Sequence, residues 1–302
     1  TAPSKITYLK MGSVSINGTG WLYQGNSELD PIPRSSTSTI ELPGGVAYYI
    51  NPTNVSVFGW HPTDRIFTYL SQNAALNATN IYLKEGLDVV AGDQIVIGCG
   101  TVTGTITETN RGIYTVSAYD SINKKITLTT GLQTARLLDD AVGIVTKPCV
   151  WKKTSGYWQG FRSTGNASII VGLLAMNDQI INTINSSNVS WSVARNTLND
   201  LVSSSGNIIT NCMAVDCTSG TLANGYGNSL INCLVVNSKL SSGNGNYLSG
   251  CMGQNSVNSF SEDSGSTYEN CISRSNSWGG LAQGTTNNTF INCKSSLCSG
   301  AD

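Results

Sequence analysis

The stretch GNIITNCMAV, from Gly206 to Val215, returns four more times in altered form, and this repetition decides the fold. The related phrases are GNSLINCLVV from Gly227, GNYLSGCMGQ from Gly245, GSTYENCISR from Gly265 and NNTFINCKSS from Asn287. Their cysteines (212, 233, 251, 271 and 293) are spaced by 21, 18, 20 and 22 residues. A fixed period near twenty is typical of a solenoid, in which each repeat stacks on the one before.

Three columns of the repeat predict how each turn is built. The residue before the cysteine reads Asn211, Asn232, Gly250, Asn270 and Asn292. Asparagine and glycine enter the left-handed backbone region at the lowest cost, so this column predicts one sharp bend per repeat. The residue three before the cysteine is large and apolar, which places it in a core. The residue five before reads Asn207, Asn228, Asn246, Ser266 and Asn288, and we expect these side chains to bond from turn to turn.

The cysteines are predicted to be compact core residues. The chain has nine, an odd number, with no Cys-x-x-Cys pair and a single histidine, so neither a disulfide framework nor a zinc site is favoured. We therefore expect Cys212, Cys233, Cys251, Cys271 and Cys293 to be buried thiols. The sequence predicts no metal and no cofactor.

These patterns predict an all-β chain in which residues 151–302 form a parallel β-helix. The first turns are placed in residues 156–200, where Asn166, Asn188 and Asn207 recur at 22 and 19 residues. Residues 80–150 alternate between apolar and polar, which indicates a small antiparallel barrel or sandwich preceding the helix and ending near Lys147-Pro148. Residues 1–79 are predicted to be an extended, partly β-structured attachment region.

Composition excludes two classes of partner. Only 12% of the residues are charged and the net charge is −1, which argues against a nucleic-acid surface. The longest apolar runs fall short of a membrane span, so membrane insertion is not expected. The start at Thr1 shows no leader and is read as following a removed initiator methionine, which predicts synthesis in a cytoplasm; a trimmed chain is the alternative.

The rungs at 207–212, 228–233 and 288–293, together with the asparagine column and the module GDQIVIG to TTGL, resemble the right-handed β-helix tailspikes and receptor-binding proteins of bacteriophages. The β-helix likeness covers about 160–302 and the module likeness 80–150. The resemblance implies a homotrimer, attachment to other virion tail proteins through residues 1–80, location in the virion after synthesis in the host cytoplasm, and a surface that binds or cuts bacterial surface polysaccharide.

Charged residues are scarce from position 201 onward, so few catalytic pairs can form. Cleavage of a glycan by hydrolysis needs two carboxylates across the bond. The candidate catalytic residues cluster in one rung and its loop: Glu262, Asp263, Glu269 and Arg274. A solvated loop with an ordinary ion pair is the alternative interpretation of this cluster.

Aromatic residues along successive rungs are candidates for binding sugar rings: Tyr226, Tyr247 and Trp278. Packing between subunits of a trimer explains them equally well. Tyr268 falls in the apolar column and is predicted to be core. The GYWQGF stretch (156–161) is interpreted as a cap on the first rung, and His61 as a structural hydrogen-bond donor.

The sequence thus favours a phage receptor-binding spike that recognises bacterial surface polysaccharide. Two alternatives remain at this stage. One is a polysaccharide depolymerase, either a hydrolase or a lyase. The other is a structural decoration protein of the capsid or tail.

Overall fold

The computed structural model describes most of the chain: residues 8–10, 16–42, 50–98, 112–153, 162–163, 168–176, 182–183, 187–196, 201–217, 221–255, 261–276, 280–282 and 286–298. Within these ranges every regular element is a β-strand. In chain order the strands are β1 (Tyr8–Lys10), β2 (Ile16–Gln24), β3 (Ser38–Leu42), β4 (Ile50–Phe58), β5 (Phe67–Tyr69), β6 (Asn80–Tyr82), β7 (Gln94–Ile97), β8 (Ile113–Asp120), β9 (Lys125–Leu128), β10 (Ala141–Ile144), β11 (Cys149–Lys153), β12 (Arg162–Ser163), β13 (Ile169–Val171), β14 (Leu173–Met176), β15 (Asn182–Thr183), β16 (Asn188–Ser190), β17 (Val193–Arg195), β18 (Val202–Ser203), β19 (Ile208–Thr210), β20 (Met213–Val215), β21 (Thr221–Asn224), β22 (Ser229–Ile231), β23 (Leu234–Val236), β24 (Lys239–Asn244), β25 (Tyr247–Ser249), β26 (Met252–Gln254), β27 (Ser261–Ser264), β28 (Thr267–Glu269), β29 (Ile272–Arg274), β30 (Thr289–Ile291) and β31 (Lys294–Ser296).

Three parallel sheets wind into the predicted β-helix. Sheet A has the strand order β1-β3-β11-β14-β17-β20-β23-β26-β29-β31, and sheet B has β2-β4-β13-β16-β19-β22-β25-β28-β30. Sheet C consists of β18-β21-β24-β27, and β12 pairs separately with β15. Each of the four rungs from β16 to β27 contributes one short strand to each sheet, so strands about twenty residues apart become neighbours.

Left-handed residues turn the chain at all three corners of a rung. The predicted column lies between sheets B and A, where Asn211, Asn232, Asn270 and Asn292 have φ of 52° and Gly250 has 61°. A second column turns from sheet A (Asn196, Asp216, Asn237, Asn255, Ser275, Leu297), and a third leads into sheet B (Gly206, Gly227, Gly245, Gly265, Asn287). The predicted bend is confirmed, and the other two corners use the same device.

The narrow interior holds the predicted cysteines and amides. Cys212, Cys233 and Cys271 are fully buried among the apolar residues of the helix, and Cys293 in the last rung is partly buried. The buried polar column links successive rungs, because each backbone N–H donates to the side-chain oxygen one rung on: Asn207 to Asn228 (2.9 Å), Asn228 to Asn246 (2.8 Å), Asn246 to Ser266 (2.9 Å) and Ser266 to Asn288 (2.9 Å).

The first rungs use a different residue from the one predicted. Ser187, not Asn188, occupies the buried polar column, since its N–H donates to Asn207 Oδ1 at 3.1 Å. Asn188 is exposed at the start of β16 and pairs with Ile208. A shift of one residue reverses the face of a strand, which explains the looser fit of this region. Asn166 lies outside the described residues.

The β-helix begins much earlier in the chain than residue 151. Strand β3 pairs in parallel with β11, and β4 pairs in parallel with β13, so residues from the predicted attachment region form rungs of sheets A and B. The antiparallel module is therefore inserted between two rungs and does not precede the helix. The division of the chain at 79 and 150 does not match this topology.

The module is a six-stranded antiparallel sheet with the order β5-β10-β7-β8-β9-β6 and its own apolar core. A second apolar cluster joins it to the outer face of sheet A, with Val96 and Ala141 packed on the same cluster as Met213 and Leu234. Gln254 of sheet A accepts from the Ala141 N–H and donates to Asp140, both at 2.8 Å. Sheet A is thus covered by the module.

Candidate binding face

Sheet B presents a long, regular outer face on the helix. In each of its strands from β16 to β28 the middle residue is buried and its two neighbours point outward, as the pleat requires. The first outward column reads Ile169, Asn188, Ile208, Ser229, Tyr247, Thr267 and Thr289, and the second reads Ser190, Thr210, Ile231, Ser249, Glu269 and Ile291. At the usual strand spacing the first column extends for about 29 Å along the helix.

Hydroxyl, amide and aliphatic groups alternate along this face. Tyr247 is 38% exposed and Ile208 49%. The Tyr247 hydroxyl donates to Glu269 Oε2 on the next rung at 2.5 Å, and this bond raises the pKa of Tyr247. The pair fixes an aromatic ring at the middle of the face.

Tyr226 extends the aromatic surface around the corner toward sheet C. Its side chain is 62% exposed, and its N–H donates to Ser205 Oγ at 3.1 Å. Beside it, two stacked glycines, Gly225 and Gly243, have φ of 138° and 149°. A Cβ on Gly225 would lie 2.2 Å from the carbonyl oxygen of Ser204, so the stacked rungs approach too closely for any side chain.

The four candidate catalytic residues do not converge. Glu262 lies on the outer face of sheet C, where its carboxylate accepts from Lys239 at 2.7 Å. Its neighbour Asp263 points into the helix, is fully buried and accepts from Ser241 at 2.5 Å. Burial raises the pKa of Asp263. An inward carboxylate cannot flank a bond in a bound glycan.

Glu269 and Arg274 lie on two further sheets. Glu269 is on the outer face of sheet B, as described above. Arg274 belongs to sheet A and faces the inserted module, where it donates to the Leu138 carbonyl at 2.8 Å and lies 3.4 Å from Asp140. Burial raises the pKa of Asp140. The predicted proximity of Glu269 and Arg274 is therefore absent.

The remaining predicted residues have mixed outcomes. Tyr268 is fully buried and stacks on Phe290 with 4.9 Å between ring centroids, as expected for the apolar column. His61 stacks on Trp191 at 5.0 Å and its Nδ1 lies 2.9 Å from the Pro62 carbonyl. Trp278 and the stretch 156–161 lie outside the described residues.

The sequence did not reveal sheet B as one continuous surface. The signal was present in the sequence, because in each rung from β16 to β28 the residues on either side of the buried apolar position point outward. Gly225 and Gly243 were also missed. Within the described ranges, His, Cys, Asp and Glu side chains form no group of three that fits a metal ion, and no helix is long enough to cross a membrane.

The geometry defines a parallel β-helix protein with an inserted antiparallel module. No family model and no curated protein matches the chain. Among solved structures it is similar to the tailspike gp49 from Pseudomonas phage LKA1, with 16% identity, 90% of this chain and 47% of that chain covered, and a TM-score of 0.27. It is also similar to the Gp54 tailspike of Acinetobacter baumannii bacteriophage AP22, solved in complex with capsular saccharide, with 11% identity, 95% and 48% covered, and a TM-score of 0.27.

A third similar structure is the catalytic domain of a GH87 alpha-1,3-glucanase in complex with tetrasaccharides, at 10% identity, 79% of this chain and 97% of that chain, and a TM-score of 0.27. The chain spans about half the length of the two tailspikes.

Proposed function

We propose that this chain is the receptor-binding part of a bacteriophage tailspike and that it recognises bacterial surface polysaccharide along sheet B. The observation that carries the proposal is the outer face of sheet B, which is continuous over successive rungs, at least partly exposed and nearly uncharged, and which holds Tyr247, with Tyr226 at its edge.

Such a face suits a sugar chain for two physical reasons. Aromatic rings pack on the apolar faces of pyranose rings, while neighbouring hydroxyls and amides bond to the sugar hydroxyls. The side chains stand on a rigid stack of paired strands, so little conformational entropy is lost when the ligand binds.

Assembly and location form a second part of the proposal. The resemblance of the repeat to tailspike rungs supports a homotrimer located in the phage tail, made in the host cytoplasm and attached to other tail proteins through residues 1–80. Because the module covers sheet A, subunit contacts would use other faces. Attachment would use the parts of 1–80 outside the rung strands.

The test is retention of bacterial polysaccharides by the immobilised protein, compared among three variants. Tyr226→Ala and Tyr247→Ala each remove an exposed ring and are expected to weaken retention by about 1–2 kcal/mol, or roughly fivefold to thirtyfold. The control is Ile122→Ala, which changes a side chain that is 90% exposed on the module hairpin. Equal retention by all three variants would overturn the placement of the site on sheet B.

Cleavage is measured in the same samples. New reducing ends without ultraviolet absorbance would identify a hydrolase, and absorbance from unsaturated uronates a lyase. Intact glycans that are retained support a binding spike. If no polysaccharide is retained or cut, the proposal fails and a structural decoration protein is the better description.

A further inference from the structure

We propose that sheet B selects uncharged polysaccharides and disfavours polyanionic ones. This inference rests on the proposed function, because it names the class of glycan that the same face would take. It starts from the placement of the cationic side chains in the β-helix from residue 164 onward.

Cations are few in this region and none belongs to sheet B. From residue 164 to the end, the chain contains four Lys or Arg residues and no histidine: Arg195, Lys239, Arg274 and Lys294. The earlier strands of sheet B, β2 and β4, contain no charged residue of either sign.

Each of the four cations lies on another sheet. Arg195, on sheet A, donates to Gln94 of the module at 3.0 Å, and Arg274 faces Asp140 of the module. Lys239 lies on sheet C and pairs with Glu262. Lys294 lies on sheet A in the last rung.

The one charge among the described outward residues of sheet B is negative. Glu269 lies in the second outward column, and Tyr247 donates a hydrogen bond to it. Because the tyrosine hydroxyl is neutral, this hydrogen bond does not neutralise the carboxylate of Glu269.

Acidic polysaccharides are bound through cationic side chains, and the strands of sheet B contain none. Carboxylates, phosphates and sulfates are bound tightly by Arg and Lys through charge-assisted hydrogen bonds. On sheet B they would lose hydration without gaining a counter-charge and would be repelled by Glu269. Neutral hexoses and deoxyhexoses lose nothing comparable, and they use the hydroxyls, amides and aromatic faces that are present.

The experiment compares neutral and acidic polysaccharides on the immobilised protein at 50 and 500 mM NaCl. The neutral set contains dextran, mannan and uncharged O-polysaccharides; the acidic set contains hyaluronan, alginate and polysialic acid. We expect retention within the neutral set only, with an affinity that changes less than about twofold between the two salt concentrations, because no ion pair is screened. Retention of acidic glycans that weakens with salt would overturn this inference while leaving the receptor-binding proposal standing. Retention of no glycan would overturn both.

A charge introduced on sheet B tests its role directly. Thr210→Lys places a cation in the second outward column, three strands from Glu269. Retention of the acidic set is expected to rise by about threefold to tenfold at 50 mM NaCl and to fall back at 500 mM NaCl. Ile122→Lys adds the same charge on the module hairpin. Equal effects of the two variants would show that added charge acts non-specifically. That result would overturn the assignment of the selectivity to sheet B.

Discussion

Asn232 illustrates how much a single residue type can determine here. It sits at the corner between sheets B and A with φ of 52°, a region that most side chains enter only with strain. The corner was predictable from the sequence because asparagine and glycine are nearly the only residues that fill such a position cheaply.

Replacement of Asn232 by alanine is therefore expected to destabilise the protein by about 1–2 kcal/mol. Urea unfolding followed by circular dichroism measures the change in unfolding free energy. Asn188→Ala is the matched control, because Asn188 is exposed and lies in an ordinary strand. If both variants lose the same stability, the strain assigned to the corner is wrong.

Other residues could not be oriented from the sequence. Strand β27 reads Ser261, Glu262, Asp263 and Ser264 and has no apolar residue to mark its inner face. Only the pairing with β24 determines that Asp263 points inward and Glu262 outward. The predicted catalytic cluster failed to converge for this reason: closeness in sequence says little where each rung passes through three sheets.

At the level of the rung, the cysteine column shows what a repeat can and cannot reveal. Its burial followed from its constant place after the bend. The second corner escaped notice because its residue type changes from Asn237 to Ser275 to Leu297, although all three have positive φ. There the stacking on neighbouring rungs holds the backbone in place, and residue preference matters less.

Burial of the cysteine column is expected to make its thiols unreactive. Burial raises the pKa of Cys149 and of Cys212 to about 12 and the pKa of Cys251 well above its ordinary value, so almost no thiolate exists at neutral pH. In a Cys99→Ser background, we expect Ellman's reagent at pH 8 to react in the folded protein only with the partly buried Cys293 and Cys298.

Addition of urea should then release the remaining six thiols of the described residues to the reagent. Rapid labelling of Cys212 or Cys233 in the folded protein would contradict the packed interior. The reduced and untreated proteins should give the same thiol count, since the described cysteines form no disulfide.

For the whole molecule, the inserted module was the feature furthest from prediction. Its strands were recognised from their alternation, but the parallel pairing of β3 with β11 joins residues about 110 positions apart. No local pattern encodes such a pairing, so residues 1–79 could not be assigned to the helix from the sequence.

Lys147 lies where the chain passes from the module back to the β-helix. Its ionisation makes the stability of the protein depend on pH. Its Nζ is buried without a hydrogen-bond partner among the described residues and lies 5.5 Å from the Trp60 ring. Arg34 contacts the same ring and pairs with Asp88 and Asp93. Burial lowers the pKa of Lys147 from 10.5 to about 7.

An unfolded chain then binds a proton that the folded chain does not, so this residue makes stability rise with pH between about 7 and 10.5. Lys147→Met removes the buried ammonium and is expected to stabilise the protein by on the order of 2–4 kcal/mol at pH 6, with a smaller gain at pH 9. Unfolding free energies of both proteins at the two pH values measure this. The same gain at pH 6 and pH 9 would contradict the assignment.

The insertion also governs the order in which the chain can fold. Rungs built from the repeat phrases close loops of about twenty residues. Strands β3 and β4 pair with β1 and β2 on one side, but their partners on the other side lie beyond the whole module. Loop closure over about 110 residues costs roughly 1.5 kcal/mol more than closure over twenty. On a ribosome adding about 5–20 residues per second, one edge of each of these two strands stays unpaired for several seconds or longer. The open edges of β3 and β4 are therefore synthesised early and paired late. These two strands are the segments that most need protection from incorrect pairing during synthesis.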